Sequence, residues 1–272
     1  MEPRSHSRRR QQNRRRVSDD RYSWPEPNFG VAEILARNGP SFAQLRRMSP
    51  VKLQHDRSSW TEEIIDLLFH GNPMLCAGLG PGRFTIQSRE QWRGQLAAQK
   101  LMVPSPVLEP CSRRTRGPLV RVRGRRFLLL ELTAPPWENV SAEDRRHFGN
   151  EVRYYCARRD VHAALLWHLG RFRPLVAVVQ HDSRSTRGWF YCEGAPERSL
   201  FKLMCHGVTL GANRRAWEIS HFAVIPDSGR TRGEFQETVY LNPAPVQSTG
   251  DVRPISCAPR VVVPTRHNRN YA

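Results

Sequence analysis

Residues 176–191 spell VAVVQHDSRSTRGWFY, and this stretch constrains the fold more than any other part of the chain. Val176, Val178 and Val179 suit a buried pleated surface, residues 182–187 make a short polar turn, and apolar character returns at Trp189 and Phe190. The pattern predicts a strand, a tight cationic loop and a second strand. Ser183, Arg184, Ser185 and Arg187 would gather backbone N–H groups, hydroxyls and two guanidinium groups on one loop, a chemistry suited to phosphate. The same residues also describe a solvated hairpin turn.

At 272 residues the chain can bury a substantial core, in one large domain or two smaller ones. Lys and Arg number 43 against 25 Asp and Glu, a formal net charge of +18. That excess points to a polyanionic partner, nucleic acid or an acidic membrane surface, held in a salt-dependent way. Almost all of it is Arg, whose planar fork grips phosphate through two hydrogen bonds, although a GC-rich coding sequence produces the same bias. The six cysteines, Cys76, Cys111, Cys156, Cys192, Cys205 and Cys257, have no CxxC spacing. Zinc ribbons, thioredoxin-type redox chemistry and a secreted disulfide framework are therefore poorly supported, and reduced thiols in a cytoplasm fit best. No apolar run approaches the ~20 residues of a membrane span, and the charged N-terminus lacks the apolar segment of a secretory signal. The expectation is a cytoplasmic protein without a membrane partner.

Taken in order, residues 1–30 are expected to be a disordered tail, since Arg4, Arg8, Arg9, Arg10, Arg14, Arg15 and Arg16 cannot collapse around apolar side chains. Residues 31–115 read as a helix-rich accessory region. Trp60, Ile64, Ile65, Leu68 and Phe69 recur at helical spacing, with Ser59 and Glu62 spaced as a capping box. Residues 78–82, Gly-Leu-Gly-Pro-Gly, lack the Lys-Ser/Thr ending of a phosphate loop and read as a plain turn. Residues 88–100 read as an amphipathic helix around Trp92 and Leu96. Residues 116–245 form the expected core, and residues 246–272 a Pro- and Arg-containing tail. Within the core, Arg121, Arg123, Arg125 and Arg126 make either a strand edge that binds a nucleic-acid backbone or an ordinary solvated face. Residues 127–132 predict a buried strand with Glu131 near its exit, and a carboxylate there is costly unless paired, wet or metal-bound. A helix over residues 152–168, strands over 175–179 and 188–192, a helix over 197–208 and strands over 221–226 and 237–241 complete an α/β (α+β) alternation around one sheet. His162 and His168 are too far apart in sequence to stack as an i, i+4 metal pair and read as ordinary helix residues.

Four of these segments stand in a familiar order: FLLLELT at 127–133, AALLWHL at 163–169, STRGWF at 185–190, and the stretch from Leu210-Gly211-Ala212-Asn213 to Pro226. Together they resemble a bacterial and mobile-element branch of the archaeo-eukaryotic primase superfamily, the primase-polymerases and their relatives. Pro73-Met74-Leu75-Cys76 and Val103-Pro104-Ser105-Pro106 are similar to the accessory region that precedes that core. The resemblance covers about residues 31–243. It implies a primase-polymerase-like core with a central mixed sheet flanked by helices. In that family an acid-x-acid pair ends one strand, a later loop carries Ser-x-His, and a third acid follows. The carboxylates hold Mg²⁺ or Mn²⁺ for nucleotidyl transfer, and the histidine holds the phosphates of a nucleoside triphosphate.

This chain departs from the pattern at most reactive positions. Glu131 matches the first acid and would be the remaining metal ligand, but Thr133 stands for the second acid and Asn213 for the third. Ser185 matches the loop serine, whereas Arg187 replaces the histidine and Val224 a basic residue. Losing two carboxylates weakens the field that holds a hard cation, with Asp182 and Asp227 as the candidates to compensate. Arg187, with Arg184 beside it, retains a phosphate-binding cation. Three readings follow. One is a primase-like nucleic-acid-binding protein of a replication or mobile-element module, impaired in catalysis. Another is an active primase-polymerase with an altered Mg²⁺ or Mn²⁺ site. The third is a non-catalytic scaffold with a helicase or other replication partner.

Overall fold

The computed structural model describes residues 23–52, 60–80, 83–108, 124–218, 221–228 and 236–248. Three short helices come first: α1 (Phe29–Arg37), α2 (Phe42–Met48) and α3 (Thr61–Leu68). Strands β1 (Met74–Gly80), β2 (Arg83–Ser88) and β3 (Leu101–Met102) follow, then β4 (Phe127–Thr133), α4 (Ala142–Phe148) and α5 (Glu151–Leu169). The chain continues through β5 (Leu175–Gln180), β6 (Ser185–Tyr191), α6 (Glu197–Thr209), β7 (Ala223–Val224), β8 (Glu237–Leu241) and α7 (Ala244–Gln247). These strands build two four-stranded antiparallel sheets, ordered β2-β1-β3-β7 and β4-β6-β5-β8. The molecule is therefore α+β, but the single mixed sheet expected from the sequence does not form among the described residues. The reason is local. The turn after β5 folds β6 back antiparallel, and β6 occupies the place between β4 and β5 that direct parallel pairing would need.

Alternation along β4 sorts its side chains between two faces. Phe127, Leu129, Glu131 and Thr133 share one face and lie opposite Tyr191, Trp189, Arg187 and Ser185 of β6 in unbroken register. The apolar end of this face packs toward α3, with the Phe127 ring centroid 5.5 Å from Trp189 and 5.4 Å from Phe69. The opposite face lies beneath the long helices. A Cβ on Gly188 would stand 2.7 Å from Leu166 Cδ2 of α5, and one on Gly207 of α6 would stand 2.9 Å from Leu130 Cδ2. Only glycine lets these helices approach so closely.

The expected accessory region and core interleave. β7 comes from the late part of the chain yet pairs with β3 and completes the first sheet. One apolar cluster holds Leu75, Ala77 and Met102 together with Phe127, Trp189 and Ala223. The described part of residues 31–115 also contains β1, β2 and β3 besides its helices. Gly78 and Gly80 lie in the last part of β1 rather than in a turn, and Arg83 begins the antiparallel β2; residues 81 and 82 lie outside the described residues.

Several local expectations change. The tail ends earlier than position 30, because Trp24 is half-buried with its ring 5.2 Å from Phe201; residues 1–22 lie outside the described residues. Residues 88–100 are not a helix. Ser88 closes β2, turns follow, and only a short 3₁₀ turn at Leu96–Ala98 remains. Tertiary contacts outcompete the helix here. Arg89 is buried and pairs with Glu62 at 2.7 Å and Asp66 at 2.7 Å, Trp92 Nε1 donates to Leu75 O at 3.0 Å, and Gly94 takes φ +73°. The expected Ser59–Glu62 capping box involves Ser59, which lies outside the described residues; at this helix start Asp227 Oδ2 accepts the Trp60 N–H at 2.6 Å, and Glu62 Oε1 accepts the Leu96 N–H at 3.1 Å. A capping box does form at α2, between Ser41 and Gln44.

Candidate functional site

Glu131 and Arg187 face one another across β4 and β6. Arg187 Nε and Nη2 both donate to Glu131 Oε1, at 2.9 Å and 2.8 Å. The two side chains are 13% and 14% exposed, so the pair is largely withdrawn from solvent. One step further toward the strand ends, Thr133 lies opposite Ser185, and Thr133 Oγ1 donates to Ser185 Oγ at 3.4 Å. Asn213 joins from a third segment. Its N–H donates to Glu131 O at 2.9 Å, and Ala212 bridges to Leu132. Gly211, at φ +97°, makes the reversal that delivers this segment from the end of α6. Glu131, Thr133, Ser185, Arg187 and Asn213, far apart in the chain, are thus brought to one end of the second sheet.

Ser185 and Arg187 were expected on a loop but belong to β6, which starts at Ser185. The turn itself is built by Asp182, whose Oδ1 accepts the N–H of Arg184 at 2.7 Å and of Ser185 at 2.6 Å. Strand pairing begins there because Ala134 N–H donates to Arg184 O at 2.9 Å. Arg184 is half-buried at this rim, and its guanidinium forms no ion pair among the described residues. Arg187 Nη1 is buried without a hydrogen-bond partner among them.

His221 also belongs to this neighbourhood. Burial, then the positive charge of Arg187, lowers its pKa below the ordinary histidine value, while the Glu131 carboxylate acts in the opposite sense. Sequence reasoning missed it. The available signal was its position just ahead of the β7 segment that the primase resemblance covers.

The expected basic edge falls partly within the described residues. Arg121 and Arg123 lie outside the described residues. Arg125 donates to Trp217 O and lies 4.6 Å from the Trp217 ring centroid. Arg126 donates to Leu68 O at 3.1 Å, pairs with Glu193 at 3.4 Å and stacks near Phe69 and Phe127. Both guanidinium groups therefore fasten β4 to its neighbours, which takes them away from an external phosphate.

The donor set does not suit Mg²⁺ or Mn²⁺, which favour several oxygen ligands including carboxylates. Glu131 Oε1 carries two guanidinium hydrogen bonds, and Asn213 Oδ1 accepts the Arg215 N–H at 3.1 Å as a cap for the following 3₁₀ turn. Asp182 is committed to the turn and Asp227 to the start of α3. Among the described residues no group of three His, Cys, Asp or Glu side chains stands close enough to hold a metal ion. Arg187 instead places its positive charge against the Glu131 carboxylate and neutralises it.

The fold and site define an α+β protein with a guanidinium–carboxylate pair at one end of an antiparallel sheet. The chain matches no protein-family model, no curated protein and no solved structure. No helix among the described residues is long and apolar enough to cross a membrane.

Proposed function

We propose that the chain is a nucleic-acid-binding protein built on a primase-polymerase-like scaffold, impaired in catalysis and serving a replication or mobile-element module. The observation that carries this reading is the convergence of Glu131, Thr133, Ser185, Arg187 and Asn213. These residues were aligned on three separate short motifs, and they meet at one sheet end. Arg184 beside them offers a guanidinium without an ionic partner among the described residues, suited to phosphate. The loss of catalysis rests on the pairing of Glu131 with Arg187 and on the neutral side chains at Thr133 and Asn213.

Template-directed nucleotide incorporation with Mg²⁺ or Mn²⁺ tests the reading. Wild type is expected to be silent. A Thr133→Asp, Asn213→Asp, Arg187→His variant restores the acidic set, releases Glu131 and is expected to gain incorporation. Incorporation by wild type that disappears in Glu131→Ala would instead identify an active nucleotidyltransferase with an altered site. Anisotropy titrations over a salt series separate both from a scaffold, whose nucleic-acid affinity would follow net charge alone.

A further inference from the structure

His168 and His206, which the site above does not use, meet between two helices. His168 lies in the last turn of α5 and His206 in the last turn of α6. Their Nε2 atoms are 3.2 Å apart, and their ring planes are inclined by 34°. Phe172 packs against both rings, with centroid distances of 5.6 Å and 5.1 Å, and is itself exposed, so the pair sits at the protein surface behind an aromatic wall.

We propose that His168 and His206 form a two-histidine site for a borderline divalent cation of the Zn²⁺ type, joining α5 to α6. Zn²⁺ binds imidazole nitrogen at about 2.0–2.1 Å, so two nitrogens in a tetrahedral shell stand about 3.3 Å apart. The Nε2 separation already matches, and rotation of the rings would aim both lone pairs at one ion. The remaining positions are open to water, because both histidines are only partly buried. Each ring ends a helix whose unsatisfied carbonyl groups favour positive charge. Burial lowers the pKa of both imidazoles, and His206 and Arg171 lower that of His168 further, so the lone pairs are available at neutral pH. Nitrogen donors without a carboxylate favour Zn²⁺ over Mg²⁺ or Ca²⁺. This site is independent of the proposed nucleic-acid function. Its bound ion would clamp together the two helices that cover the back of β4 and β6.

The competing arrangement is a plain N–H···N hydrogen bond between two neutral tautomers. Chelator-treated, reduced full-length protein distinguishes them. Wild type treated with diethyl pyrocarbonate should lose modification at His168 and His206 together when Zn²⁺ is added, as read by peptide mass spectrometry. Calorimetric titration with Zn²⁺ should give one equivalent more for wild type than for His168→Gln or His206→Gln. Unchanged modification of both histidines in wild type would overturn the proposal. That measurement stands even if a variant fails to fold. Equal stoichiometry in wild type and folded variants would overturn it as well.

Discussion

Arg187 reaches across the β4–β6 pair and places two donors on a single oxygen of Glu131, so that the two charges neutralise one another. Truncating either partner leaves a largely buried charge without its counterpart. Glu131→Ala is therefore expected to destabilise the fold by about 3 kcal/mol, whereas a Glu131→Leu, Arg187→Met double replacement should recover most of that loss. Urea unfolding of the three proteins measures it. Additive losses in the double variant would mean that the two residues act separately.

Arg184 and Arg126 should separate binding from stability. Arg184→Ala removes a guanidinium that has no ion-pair partner among the described residues, and the slope of log affinity against log salt should become shallower by about 1. Arg126 is engaged with Leu68 O, Glu193 and two aromatic rings. Arg126→Ala is expected to cost about 1–3 kcal/mol of stability and to leave the salt slope of the folded protein unchanged. Anisotropy titrations and thermal melts read the two effects.

His162 makes stability depend on pH. It is buried on α5, its Nδ1 lies 3.3 Å from Thr186 Oγ1, and burial, then the charge of Arg158, pushes its pKa down to about 3. Below the ordinary value of 6.5 the unfolded chain takes up a proton that the native imidazole refuses. The native state therefore loses stability as pH falls from 6.5 toward 3, by at most about 1.4 kcal/mol per pH unit from this group. Denaturant titrations between about pH 7.5 and about pH 5.5, one unit either side of the free-histidine value, should show a flatter dependence in His162→Gln. An identical slope in both proteins would exclude His162 as a source.

Gly188 should tolerate no side chain. A Cβ there meets Leu166 Cδ2 at 2.7 Å and Phe190 Cε2 at 2.9 Å, both in the packed layer between β6 and α5. Gly188→Ala is expected to cost about 1–3 kcal/mol through overpacking. A Leu166→Ala second change should relieve part of that cost, and melting temperatures of the single and double variants test the compensation.

Elements governed by local pattern were legible in the sequence. The long helix expected at 152–168 is α5 (Glu151–Leu169), and the strand expected at 237–241 is β8 (Glu237–Leu241). The apolar runs at 127–132 and 175–179 are strands β4 and β5. In each case burial of a continuous run or of one helical face follows from neighbours along the chain. Residues 88–100 carry a real amphipathic spacing, but Arg89 and Trp92 find stronger partners in α3 and β1 than a helix would offer.

The chain's own residues fixed the chemistry available: a strong excess of Arg, the acid Glu131 near the exit of an apolar strand, and the hydroxyl and amide groups of Thr133, Ser185 and Asn213. The tertiary structure decided which of those groups meet. Register between β4 and β6 set Glu131 against Arg187 and Thr133 against Ser185, and the turn at Gly211 carried Asn213 to the same place. It also withdrew Arg125 and Arg126 into the fold and brought His168 to His206. Pairing across a sheet or between helices depends on through-space register, and spacing along one chain does not encode which distant partner a side chain will reach.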